Sequence, residues 1–281
     1  MANKIIKKYR KILFVILLLS LILSNTNIVY AIKVKEIDRQ VLLTNFNHIN
    51  ITLESSKDLK QLKKLIKYKR PRAIYIEQWV LDTSGNKSLL EKLQKISQKY
   101  NTKLYLIIGR NSWFGKRGVL HTLEALNTYG KHVDGIVLRV EPHKVNVWKD
   151  DLGIQAQILN QMLDAYSAIY IESKKTDKHF LAEFPFWLSD FKGPKKTFSQ
   201  NACDYTDKII FLLDNTDKLK TLDINWNDVS CNYIIDLTKR ANNQTEELIH
   251  ETYEILKSKL IFYSNFNGFL IDSDSTLKES E

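Results

Sequence analysis

The chain has 281 residues, a formal net charge of +10, nine glycines and two cysteines. Five of the positive charges (Lys4, Lys7, Lys8, Arg10, Lys11) fall in the first eleven residues, so the rest carries no basic excess that calls for nucleic acid. With no CxxC and no His/Cys cluster, the composition also gives no metal site and implies no cofactor.

The basic start is followed by an apolar run from Ile12 to Leu23, interrupted only by Ser20. Polar residues and the stretch Val29-Tyr30-Ala31 come next, with small side chains where a signal peptidase needs them. Residues 1–31 therefore read as a cleaved secretory signal. An uncleaved anchor is the rival, but a bilayer core needs about 20 apolar residues in a helix and this run is shorter. Residues 32–281 are expected to be exported (periplasmic, cell surface or secreted) with no membrane span. In an oxidising compartment Cys203 and Cys231 form either a disulfide or two buried free thiols.

From there short apolar runs alternate with longer amphipathic stretches. Strands are predicted at 48–53, 73–77, 103–108, 134–140, 179–184, 208–213, 232–237 and 268–272. Helices are predicted at 57–68, 89–100, 119–129, 151–172 and 245–263 from apolar side chains at helical spacing. The strands are apolar on both faces, as parallel buried strands are. Eight such units fit a single-domain (β/α)8 TIM barrel. A doubly wound open sheet is the alternative, but it carries a glycine-rich phosphate turn after its first strand, and none is present. The lysines lie along the helices and read as solvated faces.

In such a barrel the reacting groups follow the C-terminal ends of the strands. Those positions hold Glu77 and Trp79, Arg110 and Trp113, Arg139, Glu141, His143 and Trp148, Glu183 and Trp187, Asp214, Asp236, and Asp272 with Asp274. Four of the five tryptophans thus fall on one face. Aromatic platforms beside carboxylates suit a sugar cleft, since pyranose rings stack on aromatics and hydroxyls need polar partners. Plugging of the barrel mouth by the same rings is the structural alternative.

The segment Asp134-Gly135-Ile136-Val137-Leu138-Arg139-Val140-Glu141-Pro142-His143 resembles the strand-4 motif of a group of bacterial glycoside-hydrolase-like TIM-barrel proteins, DGIhhDVEPh followed by Trp. Ala182 to Trp187 and Asn267 to Asp272 resemble its fifth and last strands. The resemblance implies carbohydrate as partner and Glu141 as catalytic carboxylate; the second carboxylate must come from Glu77, Glu183, Asp214 or Asp272, with Glu183 or Asp272 the first choice. Trp79, Arg110, Trp113, Arg139, His143, Trp148 and Trp187 would then contact sugar. Two departures stand out. Arg139 replaces the family's Asp and, two residues from Glu141, is expected to share its face. On strand 7, Leu237-Thr238 replaces a Glu-Thr pair, and Asp236 is one position off, which points it to the other face. A barrel that binds sugar or a surface partner without hydrolysis is therefore the competing expectation.

Overall fold

The computed structural model describes residues 47–52, 56–83, 88–148, 151–193, 196–213, 229–238, 256, 260 and 263–273. The expected signal segment, Asp214, Asp274 and nearly all of the expected helix at 245–263 lie outside these residues. Eight parallel strands close into a barrel in sequence order. They are β1 (Asn47–Ile51), β2 (Ala73–Glu77), β3 (Lys103–Ile108), β4 (Gly135–Arg139), β5 (His179–Pro185), β6 (Lys208–Leu212), β7 (Asn232–Asp236) and β8 (Phe266–Asp272). Helices α1 (Leu59–Lys69), α2 (Gln78–Thr83), α3 (Leu89–Tyr100), α4 (Lys116–Tyr129), α5 (Leu152–Lys175) and α6 (Phe198–Cys203) follow in the connections. This is the (β/α)8 architecture.

Local chemistry explains the helix limits. Asp58 caps α1 by accepting from the backbone N–H groups of Lys60 and Gln61. Pro71, lacking an N–H, bars its continuation. The buried face of α1 is Leu62, Leu65 and Ile66, each contributing about 1.5–3 kcal/mol by leaving water. Asp151 caps α5 in the same way through Gly153 and Ile154. The short α6 is held by a capping box between Thr197 and Gln200.

Strand alternation divides the interior in two. One set of side chains packs between strands and helices. The other fills the lumen and includes Tyr75, Ile107, Val137, Leu181, Ile210 and Ile234. At the N-terminal end of the lumen, Tyr75 Oη lies 3.0 Å from Nδ1 of buried His48, and His48 Nε2 lies 3.0 Å from the Asn267 carbonyl. Burial pushes the His48 pKa down to about 3, so the ring is neutral, with Nε2 donating and Nδ1 accepting.

Cys203, at the end of α6, and Cys231, just before β7, place their Sγ atoms 2.17 Å apart. They form a disulfide toward the N-terminal end of β6 and β7. At the other end, Gly109 follows β3 with φ +143°. A Cβ there would stand 2.0 Å from the Arg139 carbonyl oxygen, so only glycine lets β3 run this close to the end of β4.

Candidate functional site

Parity within the strands selects what faces the C-terminal mouth of the lumen. Counting two residues on from Tyr75, Val137, Leu181 and Ile234 gives Glu77, Arg139, Glu183 and Asp236. All four are buried, Glu183 and Asp236 completely. They meet on the one guanidinium. Arg139 Nη1 donates to Glu77 Oε1 at 3.0 Å, and Nη2 donates to Asp236 Oδ2 at 3.3 Å. Glu183, opposite Arg139 in the β4–β5 ladder, brings Oε1 within 2.8 Å of Nη2. That approach is an ion-pair contact without hydrogen-bond direction, since neither Glu183 oxygen meets bond geometry.

Further contacts fix the cluster. The Trp79 indole N–H donates to Glu77 Oε2. The Thr238 backbone N–H donates to Asp236 Oδ1 at 2.8 Å. Beside the cluster, across the β1–β8 seam, Asn50 Nδ2 donates to Asp272 Oδ1 at 2.9 Å.

A single cation among three carboxyl groups cannot compensate all of them. Burial pushes the Glu183 pKa up; Arg139 pulls it back, and the charge of Asp236 raises it again, to about 8. Glu183 therefore holds its proton well above the ordinary carboxylate range. Burial by itself would depress the Arg139 pKa, but the charges of Glu183 and Asp236 outweigh it and hold the guanidinium protonated.

This carries a sign for stability. A carboxyl with a raised folded pKa holds its proton more tightly when folded. Its contribution is fully present below pH about 4.5 and is lost as pH rises through about 8. Gln at this position is neutral at every pH. Glu183→Gln is thus expected to gain stability relative to the wild type as pH rises from about 4.5 to about 8. Urea denaturation at several pH values in this window checks it, and a pH-independent difference would contradict the assignment.

Glu141 lies beside the cluster but outside its hydrogen bonds. It lies past the end of β4 with φ −117° and ψ 77°, and its carboxylate pairs with Lys144. The charge of Glu141 still acts on Arg139, as expected of neighbours, but the two side chains have different direct partners. Arg139 turns into the lumen and is committed to Glu77, Glu183 and Asp236, while Glu141 leaves the strand and finds its own cation.

The expected orientation of Asp236 is corrected. It faces the lumen beside Ile234, whereas Ile235 and Leu237 pack outward. Reading the site from a Glu-Thr motif placed the inward position one residue too late. The lumen parity of β7, visible as Ile234 and Asp236 two residues apart, was the signal that would have found it.

The aromatic residues form two groups after the strand ends. His143 and Trp187 meet edge-on with ring centroids 5.4 Å apart, and Trp148 approaches Trp187 at 6.1 Å. Trp113 stacks on His121 at 4.3 Å, and the Arg110 guanidinium lies 5.9 Å from the Trp113 ring. Trp79 is 44% exposed. Among the described residues there is no grouping of His, Cys, Asp and Glu able to hold a metal ion, and no helix long and apolar enough to cross a membrane.

No protein-family model and no curated protein matches the chain. Among solved structures it is similar to the YdjI aldolase from Escherichia coli K12, at 10% identity over 83% of this chain and 77% of that one, with a TM-score of 0.48. It is similar to the tandem GH20 catalytic modules of the pneumococcal exo-β-D-N-acetylglucosaminidase StrH, at 7% identity over 86% and 84%, with a TM-score of 0.48. A sugar phosphate isomerase/epimerase from Parabacteroides distasonis aligns at 10% identity over 84% and 92%, with a TM-score of 0.46. This likeness is one of barrel shape and says nothing of chemistry.

Proposed function

We propose that this chain is an exported barrel that binds carbohydrate at its C-terminal face without hydrolysing it. The observation that carries the reading is the commitment of Glu77, Glu183 and Asp236 to Arg139. Hydrolysis by two carboxyl groups needs one on each side of a scissile bond, roughly 5–10 Å apart with the bond between them. Here a guanidinium occupies the space between the inward carboxyls. The tryptophans around the strand ends supply stacking surface, and the Asn50–Asp272 pair and His143 supply polar groups near the mouth.

Hydrolysis is the second reading, favoured by the raised pKa of Glu183, the direction a general acid requires. In that reading Glu141 acts at the rim with Glu183 or Asp272 as its partner.

A panel of glycans, assayed for both binding and cleavage, separates the two. The expected outcome is binding without cleavage. Trp187→Ala should weaken binding about tenfold, the equivalent of about 1.4 kcal/mol for one aromatic platform. Glu141→Gln should leave binding within about twofold, because a rim carboxylate already paired to Lys144 adds little. Cleavage by the wild type that disappears in Glu141→Gln would establish the second reading, and no glycan bound at all would remove both. Export is tested by sequencing the amino terminus of the cell-derived protein, where Ile32 is the expected first residue. An intact leader would overturn it.

A further inference from the structure

A strongly basic surface runs down the outside of the barrel along α1 and α3 to the end away from the carboxyl cluster. Residues 56–72 hold eight Lys and Arg against a single acid, Asp58, and residues 91–103 hold four Lys against Glu91. The packing of α1 beside α3 brings these segments together. The lysines that read as dispersed solvated faces are thus neighbours, and their combined excess equals the formal charge of the whole chain, +10. Lys60, Lys63, Lys64 and Lys67 are exposed along α1, a stripe that reaches Arg70 about 15 Å from its start at 1.5 Å per residue. Where α1 and α3 end, Lys67, Arg70, Arg72, Lys99, Tyr100 and Asn101 line a concavity of about 620 Å³.

Cations at helix C-termini are ordinarily explained by the helix dipole. That effect is confined to the last turn. It accounts for Lys67 and Lys69, and for Lys99, but not for Lys60, Lys63 and Lys64 on α1 or Lys92 and Lys95 on α3. Like charges three and four residues apart destabilise a helix. The stripe keeps four such lysines with no acid interleaved.

The chemistry of the surface narrows the partner. Among the described residues, the one large apolar side chain exposed on these two helices is Tyr68, so the face has little to insert into a bilayer. The Tyr68 and Tyr100 rings lie under Lys67 and Lys99 at 5.6 and 5.9 Å, which occupies them and leaves no open platform for a base. What remains is spaced positive charge over an extended track. We propose that the α1–α3 face binds a linear phosphate polymer through its repeating charges. This site is independent of carbohydrate binding at the other end of the barrel.

The probe is labelled linear inorganic polyphosphate, titrated with the full secreted chain at several salt concentrations. The logarithm of the binding constant should fall linearly with that of salt. Lys63→Gln, Lys64→Gln, Lys67→Gln and Arg70→Gln combined should weaken binding at least tenfold at low salt. The slope should flatten by about 3, at about 0.7 per lost contact. Glutamine keeps helix propensity, so the fold should be retained, which circular dichroism verifies. A control with Lys116, Lys175, Lys192 and Lys196 changed to Gln has the same net charge and should stay within twofold of the wild type. An equal loss in the control would overturn the assignment to this face. Binding of single-stranded DNA or of phosphatidylglycerol vesicles more than tenfold tighter than polyphosphate, at equal phosphate, would overturn the choice of polymer.

Discussion

Arg139→Met is expected to lose about 3–5 kcal/mol of stability at pH 7, because removing one partner of a buried ion cluster leaves the others uncompensated. Without the guanidinium, Glu77, Glu183 and Asp236 face one another at the C-terminal mouth of the lumen. Like charges at that distance raise each other's pKa, so the folded variant takes up protons. Stability therefore rises as pH falls through the carboxylate range, and part of the loss should return near pH 5. Urea denaturation at pH 7 and pH 5 measures both effects. A loss below about 1 kcal/mol would mean that Arg139 is not the common partner of these groups. A variant carrying Arg139→Met with Glu183→Leu and Asp236→Leu should recover much of the difference, as apolar replacement of a buried cluster often does.

Reduction of the Cys203–Cys231 bond is the second large effect. The bond closes a loop with a sequence separation of 28. The chain-entropy relation gives about 3.5 kcal/mol for a loop of that size. For a domain of this length that corresponds to a melting temperature lower by about 10 °C. Dithiothreitol should produce this drop in the wild type and none in Cys203→Ala with Cys231→Ala, which starts at the lower value. Two titratable thiols in the folded, non-reduced protein, with a melting temperature indifferent to dithiothreitol, would show that the cysteines are free. The bond spans α6 to the start of β7, so its loss releases the segment containing β6 first.

The strands were legible in the sequence because a barrel buries both of their faces. KLYLII at 103–108 and AIYIE at 73–77 fall on β3 and β2 without a residue's difference, and the other six agree to within two residues at either end. Short helices were not. The six residues of α2 and of α6 are too few to show helical periodicity, and α6 is announced only by its Thr197–Gln200 cap. The carboxyl cluster was legible in part. Glu77, Arg139 and Glu183 all fall at predicted strand ends, where a barrel gathers its functional groups, but their meeting on one guanidinium is set by the closure of the barrel. Asp236 was lost because its facing was inferred from a motif and not from its own strand. The gathering of lysines could not be seen at all, since it depends on two helices 20 or more residues apart packing side by side.

Arg139 has one more consequence. Cleavage of a glycosidic bond develops a transient cation on the sugar, and carboxylates lower its energy. In this barrel a permanent cation is already seated among the carboxyl groups. The chain carries, as one of its own side chains, an occupant of the same charge as the reacting sugar. A cationic ligand at the mouth would meet carboxyl groups whose attraction Arg139 already partly offsets. The attraction that these carboxyl groups could offer a visiting cation is thus directed first to a side chain of the protein itself.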